Sequence, residues 1–470
     1  MDDTICAIST AQGIGAISII RVSGSEAIKI VQSIFSNEIK SKETHVIKYG
    51  KIIYNKEIID EVLLMVMRSP KTYTKEDIVE INCHGGYNTT NMILRILLDK
   101  GCRLAEPGEF TKRAFLNGRI NLLESEAVND LIMAKTDSKR KLSLNQIGGK
   151  LTIKINEIRD MLLSLMANIE VNIDYPEYTD NLVITKKLLN EKLNEIAKYL
   201  SKLVKESEYG RIVSNGIMVA IVGKPNVGKS SILNSLLDEE RAIVTDVAGT
   251  TRDIVEGVVS LNGIEVKLVD TAGIRETKDV VEKIGVEKSL EIIQKCDVIL
   301  FVIDATTGIT KEDKKILNKL DINKTIIFAN KDDLKHKKII TNFEIVYGNA
   351  KTLDGLDNLK NKLIEKFNIS EINRDLTYLS NSRQLDLIKK ANDSLINGLN
   401  SLKNNIPIDM IETDLRACYE YLSEILGERY EEDLVNRLFK DFCVGKWKYY
   451  VRYNCSWCWS CRNRSSSYLC

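Results

Sequence analysis

With 470 residues, the chain has room for about three domains of roughly 150 residues each, and its 44% hydrophobic and 28% charged residues describe a globular protein with a sizeable core. Lys and Arg (67) nearly cancel Asp and Glu (66), which excludes a global basic field as the means of holding nucleic acid; any RNA contact has to come from a local patch. The opening MDDTICAISTAQG has no signal-peptide core and no apolar run reaches the roughly 20 residues of a membrane span, so a cytoplasmic protein with no membrane partner is expected.

Residues 1–118 mix strand-like runs at 16–22, 62–67 and 78–81 with a helical stretch at 91–100 that Gly101 ends, the pattern of a compact α/β domain. Residues 119–210 are almost without Gly or Pro, and Ile155, Ile158, Met161, Leu162 and Leu165 recur at helical spacing, which predicts a helical bundle. At 211–374 the pattern switches to strand, Gly-rich loop and helix. Apolar runs at 217–222, 267–269, 298–303 and 325–328 alternate with helical segments, which predicts a doubly wound, mostly parallel sheet. Residues 375–446 return to helical spacing. The simplest architecture is a nucleotide-binding domain inserted into a helical domain whose two pieces pack together, because neither buries its apolar face alone.

Gly223-Lys224-Pro225-Asn226-Val227-Gly228-Lys229-Ser230 fits G-x-x-x-x-G-K-[ST] between a strand and a helix continuing through Ser231, the context a phosphate loop requires. Backbone N–H groups and the helix N-terminus would cradle phosphates, Lys229 would neutralise the outer ones and Ser230 would ligate Mg²⁺. Asn226 also suits a turn with an unusual backbone angle. Asn330-Lys331-Asp332-Asp333 is an N-K-x-D after a strand. The Asp333 carboxylate can accept from both the ring N–H and the exocyclic amine of guanine, whereas adenine presents an acceptor there, so GTP is favoured over ATP. The final guanine loop reads Asn349-Ala350-Lys351 where Ser-Ala-Lys is usual. Gly249-Thr250-Thr251-Arg252-Asp253 is a switch candidate in which Thr251 could complete the Mg²⁺ shell, and Arg252 is expected to order the switch rather than to act as an arginine finger. Asp270-Thr271-Ala272-Gly273 would sense the terminal phosphate, yet the next residue is Ile274, and an aliphatic side chain cannot orient water.

Together with TAQGIGAISIIRVSG and EDIVEINCHGG near the start, PGEFTKRAFLNGRINLLESEA in the middle, and Phe442-Cys443-Val444-Gly445-Lys446, these motifs resemble the MnmE (TrmE) tRNA-modification GTPases of the TrmE-Era-EngA-YihA-like superfamily over residues 4–446. The resemblance implies an N-terminal α/β tetrahydrofolate-binding-like domain that dimerises the protein, a helical bundle domain and an inserted P-loop G domain. It implies GTP contacts extending to Asp246 and Ala248, and a K⁺ ion held by Asn226 with Thr245, Val247 and Thr250 when two G domains pair. The water-orienting role maps onto Glu282, which also suits a helix start, where an acid favours the dipole. A one-carbon (formyl- or methylene-) tetrahydrofolate would meet Arg21, Glu80, Arg119 and Lys446, with Cys443 near the modifying centre or simply a small core residue. The implied activity is K⁺-stimulated GTP hydrolysis that, with an MnmG-like FAD/NADH flavoprotein in a heterotetramer, adds an aminomethyl or carboxymethylaminomethyl group to carbon 5 of the wobble uridine of certain tRNAs.

Six cysteines (Cys6, Cys83, Cys102, Cys296, Cys418, Cys443) are scattered, as expected of reduced thiols, while the other four of the ten, with all three tryptophans, fall in residues 447–470. Cys455-x-x-Cys458-x-x-Cys461 does not have the spacing of a two-pair zinc ribbon. Any Trp codon read one nucleotide on encodes Gly, so Trp457 and Trp459 become G-x-G, and allowed codons complete a G-x-G-x-x-G dinucleotide fingerprint like the start of an MnmG flavoprotein. Residues 447–470 are therefore expected to be a frameshifted tail. Two other functions compete with the modification reading. A ribosome-assembly or other RNA-associated GTPase would carry an added RNA module such as a KH domain, and a small-substrate P-loop kinase is disfavoured by Asp333 and the switch segments.

Overall fold

The computed structural model describes residues 3–11, 13–40, 42–174, 186–239, 257–270, 296–334, 339–367, 376–404, 406–428, 432–440 and 442. The chain divides into two compact units, Met1–Arg119 with Glu432–Cys470, and Ile120–Glu431.

The first unit is built on a sheet of β1 (Ile5–Ile8), β2 (Ile17–Ser23), β3 (Val46–Tyr54), β4 (Glu57–Met67), β5 (Ile78–His84) and β6 (Arg103–Leu104), in the order β3-β4-β5-β2-β1-β6. Its neighbours run antiparallel except for the short β1–β6 pair. Alternation sorts the side chains: Ile20 and Val22 of β2, Leu64 and Val66 of β4, and Val79 and Ile81 of β5 form one buried layer under α1 (Ala27–Gln32) and α2 (Tyr87–Asp99). The opposite face carries Arg21 and Glu80 with the exposed Ile17, Ile47, Tyr49 and Leu63. A third helix, α3 (Glu109–Leu116), follows Gly108, whose φ of +68° suits glycine and whose absent side chain admits the carbonyl of Phe439 and the ring of Phe442.

That contact departs from the expectation that the segment through residue 446 packs with the helical bundle. The amphipathic helix Glu432–Lys440 instead buries Phe439 against Phe115, centroids 6.2 Å apart, and edge-on to Phe442 at 4.7 Å, while Lys112 Nζ donates to Asn436 Oδ1 at 2.6 Å.

In the second unit, α4 (Leu122–Ile132), α5 (Asp137–Ile147), α6 (Lys150–Asp174) and α7 (Lys186–Asn215) precede a sheet of β7 (Ile217–Gly223), β8 (Gly257–Leu261), β9 (Ile264–Asp270), β10 (Val298–Asp304), β11 (Thr325–Asn330) and β12 (Glu344–Tyr347). Its order is β12-β11-β10-β7-β9-β8, parallel except for the β8–β9 hairpin. Helices α8 (Lys229–Glu239), α9 (Lys311–Leu317) and α10 (Leu356–Lys366) alternate with the strands. The residues of β11 are all buried, as are those of β10 up to Asp304, as parallel strands covered on both faces must be. The chain winds from β7 to β9 on one side and to β10 on the other, so the crevice at the carboxyl ends of β7 and β10 is the topological switch point, where such sheets bind ligands.

Beyond the sheet, α11 (Ser382–Lys403) and α12 (Ile408–Leu426) return to the bundle. Ile388, Leu395, Leu415 and Leu422 share one core with Ile155, Leu162, Leu193 and Leu200. The two helical pieces flanking the inserted sheet thus bury one another's apolar faces, except for the last helix. Among the described residues no helix is long and apolar enough to cross a membrane, and the described cysteines Cys6, Cys83, Cys102, Cys296 and Cys418 are free and buried.

Candidate functional sites

At the switch point, β7 ends in Gly223 and the chain turns through Lys224–Gly228 into α8. Asn226 sits at φ +64°, the left-handed region that Asn tolerates better than most residues. Gly228, at φ +101°, passes so close to the neighbouring loop that an added Cβ would collide with Asn330 Nδ2. Lys229 is buried at the first position of α8, and its Nζ donates to the carbonyl of Lys224 at 2.7 Å. Ser230 follows it, exposed, with Ser231 half-buried behind.

Asn330, at the end of β11 and 4% exposed, joins the two halves of the site. Its Nδ2 donates to Val227 O at 2.8 Å and its Oδ1 accepts from Ala350 N at 3.0 Å. Lys331, at φ +65°, pairs with Asp304 Oδ2 at 2.5 Å, and Asp333 stands exposed two residues on. Burial works to raise the Asp304 carboxyl, but hydrogen bonds from Lys331 and Thr306 hold it below its ordinary value. In the Asn349-Ala350-Lys351 loop, Asn349 Oδ1 accepts from Lys351 N at 2.9 Å, the local turn bond a Ser hydroxyl would otherwise make. Ser235 of α8 donates to Ala350 O at 2.7 Å, so the third loop is tied to the helix that follows the first. Of the remaining expected nucleotide residues, Asp270 ends β9. Thr245, Asp246, Val247, Ala248, Gly249, Thr250, Thr251, Thr271, Ala272, Gly273 and Glu282 lie outside the described residues.

On the open face of the first sheet, Arg21 and Glu80 are directly opposite across β2 and β5. Both Arg21 Nε and Nη2 approach Glu80 Oε1 at 2.7 Å, which leaves Oε2 for another donor. The Arg21 guanidinium lies 5.4 Å from the Phe110 ring centre and 5.6 Å from that of Tyr73, and Arg119 stands 4.7 Å from Tyr73. Beneath them, Arg113, 1% exposed, binds Asp3 Oδ1 at 2.7 Å, Glu76 Oε1 at 3.1 Å and Glu109 Oε1 at 3.1 Å, and Arg103 Nη2 reaches Glu109 Oε1 at 2.5 Å. This network holds the start of α3, and with it Phe110. Burial pushes the Glu109 carboxyl up, yet hydrogen bonds from Arg103, the Glu106 backbone and Arg113 bring it below its ordinary value. Lys446 and Cys443 lie outside the described residues.

Comparison with known families separates the candidate functions. The family described as GTP-binding protein TrmE N-terminus matches residues 4–119, and the MnmE helical domain matches residues 122–443. The chain belongs to the MnmE family of tRNA-modification GTPases. It is 44% identical over 458 residues to the tRNA modification GTPase MnmE of Bacillus licheniformis, covering 94% of this chain and 100% of that one. The corresponding protein of Enterococcus faecalis is 45% identical over 457 residues (94% and 98%), and that of Bacillus subtilis 43% over 458 (94% and 100%).

Sequence reading passed over Tyr73 and Phe110. Phe110 lies within the PGEFTKRAF stretch and Tyr73 within no quoted motif, but what distinguishes both is proximity to guanidinium groups, which only the fold supplies. The bridging role of Asn330 was hidden for the same reason, since its partners are 103 and 20 residues away in sequence. Oxygen donors at an exposed helix start suit a hard cation such as Mg²⁺, and Ser230 is placed so. A half-buried carboxylate with one oxygen available beside aromatic rings suits a flat heterocycle bearing N–H donors, and Glu80 meets that description.

Proposed function

We propose that the chain hydrolyses GTP as part of a cytoplasmic tRNA-modifying enzyme. The observation that carries this reading is Asn330: a single buried amide fastens the phosphate loop at Val227 to the guanine loop at Ala350, so the two ends of a nucleotide site are assembled together. Within it, Lys229 and the N-terminus of α8 receive the outer phosphates, Asp333 reads guanine, and Asp270 to Gly273 sense the terminal phosphate. Ser230 and Thr251 would hold Mg²⁺, which would supply positive charge to the phosphates. In place of a glutamine after the D-x-x-G segment, Glu282 orients water. Asn226, Thr245, Val247 and Thr250 would hold a K⁺ ion when two G domains pair, and the ion would supply positive charge there.

The same reading gives residues 1–118 two tasks. The exposed apolar face of Ile17, Ile47, Tyr49 and Leu63 supports homodimerisation, and Arg21, Glu80 and Arg119, with Lys446, take a one-carbon tetrahydrofolate. A flavoprotein partner with FAD and NADH completes the addition of the aminomethyl-type group to carbon 5 of the wobble uridine.

The test is GTP turnover in K⁺ against Na⁺ over a protein-concentration series, with Glu282→Ala in parallel. Acceleration specific to K⁺, rising with concentration and lost in the variant, is expected. Equal rates in both salts would remove the cation assignment, and an unaffected variant would remove Glu282. Absence of wobble-uridine modification in a deletion strain, restored by this gene, tests the modification half; unchanged modification would favour an RNA-associated assembly GTPase.

A further inference from the structure

Lys224 belongs to the phosphate loop by position, yet the loop motif leaves its identity open and the functions above give it no role. Its side chain is 22% exposed and is drawn toward the start of α9. There the ammonium donates to Thr310 Oγ1 and lies 3.3 Å from both Asp313 Oδ2 and Glu312 Oε2. The partners are fixed in turn. Thr310 is the N-cap of α9 in a reciprocal capping box with Asp313: Thr310 N and Oγ1 donate to Asp313 Oδ2 at 2.9 and 2.7 Å, and Asp313 N donates back at 3.4 Å. Asp313 is 3% exposed, and a carboxylate so buried requires a compensating cation.

The backbone of the same residue does something else. Its carbonyl accepts the Lys229 Nζ proton at 2.7 Å. Pro225 and Asn226, the next two residues, are exposed, so the Lys224 side chain anchors this stretch of the loop to a neighbouring element. Displacing it displaces the oxygen that aims Lys229.

We propose that Lys224 is a positioning residue for phosphate chemistry: clamped by the N-cap of α9, it fixes the carbonyl that orients Lys229. The inference rests on the GTPase reading above. It makes α9 part of the catalytic support, though none of its residues lies in a nucleotide motif. A long side chain that only covers α9 would matter to stability alone; a positioning residue acts on turnover more than on the binding of diphosphate, because the outer phosphate is where a misaimed Lys229 is felt.

The experiment uses the full chain and compares Lys224→Met, Lys224→Arg, Thr310→Val and the Lys224→Met/Thr310→Val double variant in kcat, KM for GTP and Kd for GDP. Lys224→Met is expected to lower kcat by about ten- to a hundredfold, as misplacement of a catalytic group does, with a smaller loss of GDP affinity. Arginine, which keeps the charge and reach, restores turnover. The double variant is no slower than Lys224→Met, because both changes break one link. Unchanged kcat in Lys224→Met, a fall in GDP affinity as large as that in kcat, or additive losses in the double variant would each overturn the proposal. A wild-type chain that turns over no GTP would sink the GTPase reading and this one with it, whereas normal turnover in both wild type and Lys224→Met sinks this one alone.

Discussion

In the parallel sheet the two loops of the candidate site are joined through backbone: they leave the carboxyl ends of β7 and β11, turn through positive φ at Asn226 and Lys331, and meet at one neutral amide, Asn330, while charge enters only through the flanking pairs Lys224–Asp313 and Lys331–Asp304. In the N-terminal sheet the candidate site is placed by charge. Arg21 faces Glu80 across two antiparallel strands, and the helix carrying Phe110 is held down by Arg113 and Arg103 among Asp3, Glu76 and Glu109. Neutral hydrogen bonds fix geometry with little sensitivity to pH or salt. Buried ion pairs fix it only while every member is present and charged. The two regions should therefore fail in different ways.

The largest difference is expected from Arg113→Met. It removes the cation shared by three carboxylates, and breaking a buried pair in this manner costs about 3–5 kcal/mol. Arg113 Nε, buried and without an acceptor among the described residues, shows that the cluster is not fully satisfied even when intact. The urea midpoint of the N-terminal unit should drop while GTP turnover measured below that midpoint persists. A loss under about 1 kcal/mol, the range of an exposed pair, would break the comparison. Asn330→Ala comes next. It leaves Val227 O and Ala350 N unpaired, at about 1–3 kcal/mol, and the loss should appear in GDP affinity as well as in melting temperature. Asp333→Ala should reduce discrimination of GTP from ATP by a similar amount, since a bidentate base contact is worth about 1–3 kcal/mol; unaltered nucleotide preference would move base recognition to another residue.

How legible each region was follows from the same contrast. Parallel strands buried on both faces read as unbroken apolar runs, which is why 298–303 and 325–328 stood out, and loops that bind phosphate and guanine have fixed spacings. The N-terminal sheet hides better. β3, VIKYGKIIY, alternates in burial with the two-residue period of a strand, but its apolar residues fall on both faces, so the sequence does not announce that period, and the six-residue α1 is too short to declare a helical one. The helix Glu432–Lys440 reads as one more turn of the bundle, because an amphipathic pattern states that a face must be buried without saying against what. Only the match of Phe439 to the space over Gly108 decides it. Arg21 and Glu80 were reached through family resemblance, as no local spacing joins residues 59 apart.

The smallest effect sharpens the comparison in pH. Glu109 is 5% exposed at its side chain, and its folded carboxyl titrates below the ordinary value of 4.5. A lowered folded pKa means that the unfolded chain binds the proton more readily. The stabilisation is therefore complete above the ordinary value and is lost as pH falls through the lowered one. Glu109→Gln removes the titration but keeps the shape, so its deficit relative to wild type should be largest near neutrality and shrink as pH falls from about 6 to about 3. Asp304 is lowered in the same direction by Lys331 and Thr306 against its burial, so acid should also loosen Lys331, but not the Asn330 bridge, which has no group to protonate in this range. Urea midpoints across that interval, followed separately through the N-terminal unit and through GDP protection of the nucleotide site, should show the first falling before the second. If the two fall together, or the nucleotide site fails first, the division into a charge-built and a backbone-built site is wrong.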